Sequence, residues 1–270
     1  MNVQVYSLDG KIVDELELPK VFSTPYRPDV IHKAFISLQS HSFQPQGRDP
    51  LAGEKTSAMS RNTGQGIARM ARVKGSGFPR AGQAAGVGNT IKGRQAHPPM
   101  SNKNITKRLN KKEKRLALCS AIAATISKEI VASRGHSVDK IKDLPLVIND
   151  DICKIKKTKD LQNVMNSLNL SDDIERVRKG WKKRMGKSQR RGRVTRASRS
   201  VLIVVDKDEG IGKATGSILG IDVTTVKNLS VLHLAPGSHA ARLVLWSKGA
   251  IEHLNSFTSP VLEIMELINK

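Results

Sequence analysis

The chain has 270 residues, with 46 Lys or Arg against 24 Asp or Glu, for a formal net charge of +22 at neutral pH. A compact body with that imbalance repels itself, so a polyanionic partner is expected, and nucleic acid is the better fit than a membrane surface. No run of about 18 apolar residues offers a membrane span, and no basic helix carries a wide aromatic face.

The two cysteines, Cys119 and Cys153, form no C-x-x-C pair, which argues against a zinc site or a disulfide scaffold and for a reducing cytosol. The segment after Met1 lacks the pattern of a signal peptide. Such a length holds one large domain or two modest ones with a real core.

In chain order, residues 3–5 and 12–18 flank Asp9-Gly10, a hairpin signal, and Pro19 closes the pair. After Pro25 and Pro28, the spacing of Val30, Ile31, Ala34, Phe35 and Leu38 predicts one face of a helix entered through proline. Residues 1–44 are therefore expected to begin a globular domain, which 101–270 complete.

Between them, from about Pro45 to Pro99, glycine recurs at Gly47, Gly53, Gly64, Gly66, Gly75, Gly77, Gly82, Gly86, Gly88 and Gly93. Arg48, Lys55, Arg61, Arg69, Arg72, Lys74, Arg80, Lys92 and Arg94 are interspersed, opposed only by Asp49 and Glu54. Apolar residues there show neither strand nor helix period, so no core is expected and the entropy of ordering stays uncompensated in free solution. A segment so long is functional or disordered. Spaced cations attract a polyanion, and glycines let backbone amides approach phosphates. The plainer alternative is a flexible polar linker, whose charge is rarely of one sign throughout.

Re-entry after Pro98-Pro99 brings Lys103, Lys107, Arg108, Lys111, Lys112 and Lys114. A helix then runs to about Ser133 on the stripe Leu116, Cys119, Ile122, Ala123, Ile126 and Ile130, with Gly135 as its stop. Residues 144–148 predict a buried strand and Lys159 to Leu168 an amphipathic helix. Arg176 to Arg199 contains twelve basic residues and no acid: Arg176, Arg178, Lys179, Lys182, Lys183, Arg184, Lys187, Arg190, Arg191, Arg193, Arg196 and Arg199. Trp181 among them either stacks on a base or packs on the core.

Val201 to Val205 is a continuous apolar run, as expected of a parallel strand covered on both faces. Gly212 to Leu219 predicts a short helix, Val223 to Val226 and Leu229 to Leu234 two further strands, and Arg242 to Trp246 another. Helices are expected over Ala250 to Leu254 and Pro260 to Ile268. The alternation predicts an α/β fold with a mostly parallel central sheet flanked by helices, a Rossmann-like three-layer body carrying a long extended internal arm.

Enzyme signals fail on inspection. Gly210 to Gly216 spaces its glycines as G-x-G-x-x-x-G after three residues that include Asp208 and Glu209, and Ala214 stands where a Walker motif needs a hydroxyl. The seven histidines are scattered without an H-E-x-x-H, so neither catalysis, cofactor nor metal is expected. His97, beside two prolines in the basic stretch, suits an RNA contact better.

Three stretches carry a resemblance: DPLAGEKTSAMSRNTGQGIARMARVKGSGFPRAGQAAGVGNTIKGRQAHPP, the following KRLNKKEKRLALCSAIAAT, and LHLAPGSHAARLVLW. They are similar to the archaeal and eukaryotic branch of the family of large-ribosomal-subunit protein four. The resemblance implies a non-catalytic rRNA-binding protein, cytoplasmic and ribosome-bound, with neighbouring large-subunit proteins and no membrane as its surroundings.

By the same resemblance, residues 45–100 are an arm through rRNA to the wall of the nascent-polypeptide exit tunnel. Its tip, Gly64, Gly66, Arg69, Arg72, Gly75, Gly77 and Arg80, would lie near the nascent chain. The absence of a basic tail after Lys270 makes an archaeal origin the expectation, and Phe78 as the arm's sole aromatic leaves stacking there to arginine planes. An mRNA-binding regulator using the same surface and an RNA-modifying enzyme with a cofactor in its sheet stay open at this point.

Overall fold

The computed structural model describes residues 2–268. It divides into two compact units, one of residues up to 39 with those from 107 onward, the other of residues 40–106. In chain order, β1 (Asn2–Tyr6), β2 (Ile12–Glu17) and α1 (Pro28–Ser40) precede two short strands of the second unit, β3 (Ala58–Met59) and β4 (Arg72–Val73). Then come α2 (Lys111–Ala123), α3 (Lys128–Ser133), β5 (Leu146–Ile148), α4 (Thr158–Ser167), α5 (Ser171–Gly180), β6 (Lys182–Lys183), α6 (Lys187–Arg190) and β7 (Thr195–Arg196). The chain continues as β8 (Leu202–Val205), α7 (Ile211–Thr215), β9 (Asp222–Thr225), α8 (Val231–Leu234), β10 (Val244–Ser247), α9 (Lys248–Leu254) and α10 (Pro260–Ile268).

In the first unit β2-β1-β5-β10-β8-β9 form one six-stranded sheet. Only the β1–β2 edge is antiparallel, and Val5, Val147, Trp246, Val204 and Thr224 run across it in register. The apolar run 201–205 becomes β8 because β-branched side chains suit a strand with no solvent face, and all four of its residues are buried. Each such side chain contributes about 1.5–3 kcal/mol by leaving water. Trp246 packs edge-to-face on Phe22, with ring centroids 5.7 Å apart. At the first hairpin Gly10 has φ +79°, and a Cβ there would meet the Ser167 carbonyl oxygen at 2.8 Å.

Two expectations are corrected. The single helix running to about Ser133 is two, α2 and α3. Thr125 donates its hydroxyl to the Ile122 carbonyl at 2.6 Å, and this local bond competes with helix continuation. Leu229 to Leu234 is not a strand but ends in the one-turn helix α8. An apolar run that short carries no usable period, and Ser230 meets His233 Nδ1 at 3.1 Å across the turn.

The second unit has Ala85 as its only buried apolar side chain among the described residues, so its order comes from the backbone. β3 pairs antiparallel with β4, and Arg72 bridges onward to Ala84. The Val73 amide donates to Gln83, Gly82 to Val73 and Ala85 to Ala71, at 2.9, 3.1 and 2.9 Å.

Candidate nucleic-acid interface

Within the second unit the outgoing and returning stretches touch. A Cβ on Gly53, φ +86°, would lie 2.5 Å from the Gly93 carbonyl, and one on Gly47 would lie 3.2 Å from Ser101 Cβ. Some of the cations expected to meet RNA are spent on this arrangement. Arg48 donates to the Ala52 carbonyl and to Gln95, and Arg72 to the Gly82 carbonyl at 2.9 Å. Lys55 pairs with Asp49 and Arg94 with Glu54. Arg61, Arg69, Lys74, Arg80, Lys92 and His97 have no side-chain partner among the described residues, and everything from Arg61 to Met70 is exposed. Gly64, Gly66 and Gly77 have open space where a Cβ would stand, whereas Gly75 is closed over by the Phe78 ring.

In the first unit the basic run forms a hairpin. Lys182 pairs with Arg196 and Lys183 with Thr195, and the Arg184 amide donates to the Val194 carbonyl at 2.8 Å. Gly186 and Gly192 take positive φ around α6. Lys182, Lys183, Lys187, Arg190, Arg191, Arg193 and Arg196 are exposed and Arg184 is half-buried. Trp181 is 36 % exposed, outside the core, and Met185 is 87 % exposed. An apolar and aromatic surface interleaved with unpaired cations is what a nucleic-acid contact needs. Lys103, Lys107, Arg108, Lys111 and Lys112 are all exposed.

The hairpin leads into β8 from its amino end, where the interior is cationic. Arg242, 1 % exposed, donates to the carbonyls of Ser200, Gly220 and Val201 at 2.6, 2.9 and 3.3 Å and pairs with Asp222 at 2.7 Å, tying the entries of β8, β9 and β10 together. Asp173, fully buried, accepts from His136, Arg176, Ser200 and the Ser137 amide. Burial alone would raise its pKa, but those donors outweigh it and hold the carboxyl below its usual range. His136 is lowered because burial outweighs the pull of Asp173, and Arg176 and Arg134 add a smaller push in the same direction. Sequence reasoning assigned no site role to Arg134, Arg176, Arg199, Tyr26 or His239; the signal for two of them lay in the R-G-H and L-A-P-G-S-H stretches.

At the carboxyl ends of the strands, where doubly wound sheets hold nucleotides, the glycine stretch is already occupied. Asp208 Oδ1 accepts from the amides of Gly210 and Gly212 at 2.9 and 3.3 Å, so a carboxylate sits where a phosphate would bind. Among the described residues no group of His, Cys, Asp or Glu is arranged to hold a metal ion. No described helix is long and apolar enough to cross a membrane.

Comparison with known proteins gives one consistent answer. The family described as "Ribosomal protein L4/L1 family" matches residues 16–257. A protein of Methanosphaera stadtmanae named "Large ribosomal subunit protein uL4" is 46% identical over 253 residues, covering 94% of this chain and 96% of that protein. Proteins of the same name from Methanococcus vannielii and a strain of Methanococcus maripaludis are 45% and 43% identical, each over 94% of this chain and over 98% and 99% of their own lengths.

Proposed function

The chain belongs to the ribosomal protein L4/L1 family, alongside archaeal uL4 proteins, and from that premise we propose that it is a structural constituent of the large ribosomal subunit that binds its rRNA. It is a ribosome-bound protein of the cytoplasm and not an enzyme, with other large-subunit proteins as neighbours. Residues 45–100 act as an extended arm whose tip, between Gly64 and Gly82, reaches the wall of the exit tunnel and the nascent polypeptide. The remaining residues form a Rossmann-like body that anchors the arm.

The observation that carries this reading is the division of labour among cations. Arg48, Lys55, Arg72 and Arg94 serve internal contacts, while Arg61, Arg69, Lys74, Arg80, Lys92 and the Lys182–Arg196 hairpin are left with no internal acid. A polyanion threaded past them supplies the missing charge, with phosphates fixing position and arginine planes meeting unpaired bases. The Asp208 carboxylate on the amides of α7 speaks against a cofactor-dependent RNA-modifying enzyme.

The test is a full-length chain carrying Arg61→Gln, Arg69→Gln and Arg80→Gln, with Arg72 left alone because its guanidinium serves the Gly82 carbonyl. The expected result is an unchanged melting temperature of the body and weakened co-sedimentation with large subunits at elevated salt. The slope of log affinity against log salt falls by about 2, roughly 0.7 per lost phosphate contact on single-stranded RNA. Subunits that assemble and translate as well with this variant as without it overturn the arm assignment.

A further inference from the structure

Beside the basic hairpin, wholly within the first unit, lies a cleft of about 820 Å³. Its walls include Tyr26, Arg134, Arg176, Arg196, Arg199 and His239, and no Asp or Glu lines it. Acids that approach its walls are already engaged: Asp29 by Arg27, Asp173 by Arg176, and Asp222 by Arg199 and Arg242. The Arg196 side chain has no partner among the described residues. Burial, with Arg242 and Arg176 close by, lowers the pKa of Arg134 to about 10, a sign that positive charge is crowded here without an internal anion.

One rim of the cleft is held in an unusual backbone conformation. Gly237, Ser238 and Ala241 take φ of +79°, +70° and +64°, a region that residues with a Cβ seldom enter. Arg134 fastens this loop by donating to the carbonyls of Pro236 and His239, and Ser238 meets His32 Nδ1 at 3.0 Å. Strain kept at a surface cleft by a half-buried arginine suggests a shape held for a ligand. The volume suits one nucleotide. Tyr26, 42 % exposed, gives a ring for a base to stack on.

We infer that this cleft seats one unpaired nucleotide of RNA, with its phosphate on Arg196 and Arg199 and its base against Tyr26. The inference rests on the rRNA-binding reading above and adds to it a site on the body, separate from residues 45–100. The seat lies at the amino ends of the parallel strands, on the opposite side of the sheet edge from the usual cofactor position.

Large-subunit RNA substituted with 4-thiouridine, irradiated with the full-length chain and mapped by peptide mass spectrometry, tests it. Crosslinks are expected in the peptides holding Tyr26 or residues 236–240. They should fall by about tenfold in Tyr26→Leu and in Arg196→Ala, the scale of one lost base stack or phosphate contact. Both side chains are exposed, so the variants fold, and circular dichroism checks that they do.

Crosslinks in 61–80 should be unaffected by these changes. If 61–80 crosslinks and the cleft peptides do not, the seat is refuted while RNA binding stands. If neither crosslinks, the RNA-binding reading falls as well. If free uridine monophosphate at micromolar concentration abolishes the cleft crosslinks, the site takes free nucleotides and the RNA assignment is overturned; indifference to it supports the assignment.

Discussion

Asp173 gathers four donors in the interior of the first unit. It carries no solvent exposure and satisfies His136, Arg176, Ser200 and the Ser137 amide together. Removing it as Asp173→Ala strands those donors and leaves Arg176 without its acid, for an expected loss of about 3–5 kcal/mol in denaturant unfolding.

Its pH behaviour follows from the same contacts. Burial depresses the pKa of His136 below its ordinary value of 6.5, and that of His233 likewise. Below pH 6.5 the unfolded chain therefore binds protons that the folded chain refuses, and stability declines as pH falls. Asp173 is depressed below 3.8, so a second decline begins as pH drops through 3.8 toward its folded value. Thermal melts between pH 8 and pH 2.5 should show both stages, with the upper one reduced by His136→Gln. The sequence hid this cluster. Arg176 and Arg199 count as members of an acid-free run, yet each meets an acid, Asp173 and Asp222, of which Asp222 lies far along the chain and Asp173 just before the run begins.

At the scale of elements, two hairpin-like devices differ in what holds them. In residues 40–106 backbone meets backbone, and at Gly53 there is no room for a Cβ against Gly93. Gly53→Ala forces a Cβ into the Gly93 carbonyl at positive φ, costing about 1–3 kcal/mol of local order. Trypsin cleavage at Lys55 and Arg94 should speed up while the melt of the first unit stays the same.

The β6–β7 hairpin is held by two residue pairs and a glycine at each end of α6, so its cations are free of packing duties. Changing Lys187, Arg190 and Arg191 to Gln should leave stability within about 0.5 kcal/mol and weaken RNA binding across sequences alike. The strands and helices themselves were largely legible, the α1 stripe from its helical spacing and LIVV and LVI from continuous apolar, β-branched runs of strand length. Where pattern was short or a hydroxyl intervened, as at Leu229 to Leu234 and Thr125, local hydrogen bonds decided the outcome instead.

Across the molecule, charge is surplus almost everywhere that internal acids do not reach, and a chain of +22 is balanced only by what it binds. The exposed stretch from Arg61 to Met70 should be cut by trypsin at Arg61 and Arg69 in the free protein and protected by large-subunit RNA. At a hundredfold excess of RNA over its dissociation constant that protection corresponds to about 2.7 kcal/mol. Equal cleavage with and without RNA would remove residues 61–70 from the interface.

By itself the sequence determined that the protein carries a large surplus of positive charge, that it has a mostly parallel α/β body, and that residues 45–99 hold no apolar core. Composition and periodicity are local properties, and each of those conclusions needs nothing more. Only the tertiary structure decided which cations are free. Arg72 on the Gly82 carbonyl, Arg134 on the 236–240 loop and Arg242 across three strand entries are spent on partners up to a hundred residues or so away. A guanidinium's availability depends on which carbonyls and carboxylates folding brings within about 3 Å of it, and no stretch of sequence contains that distance.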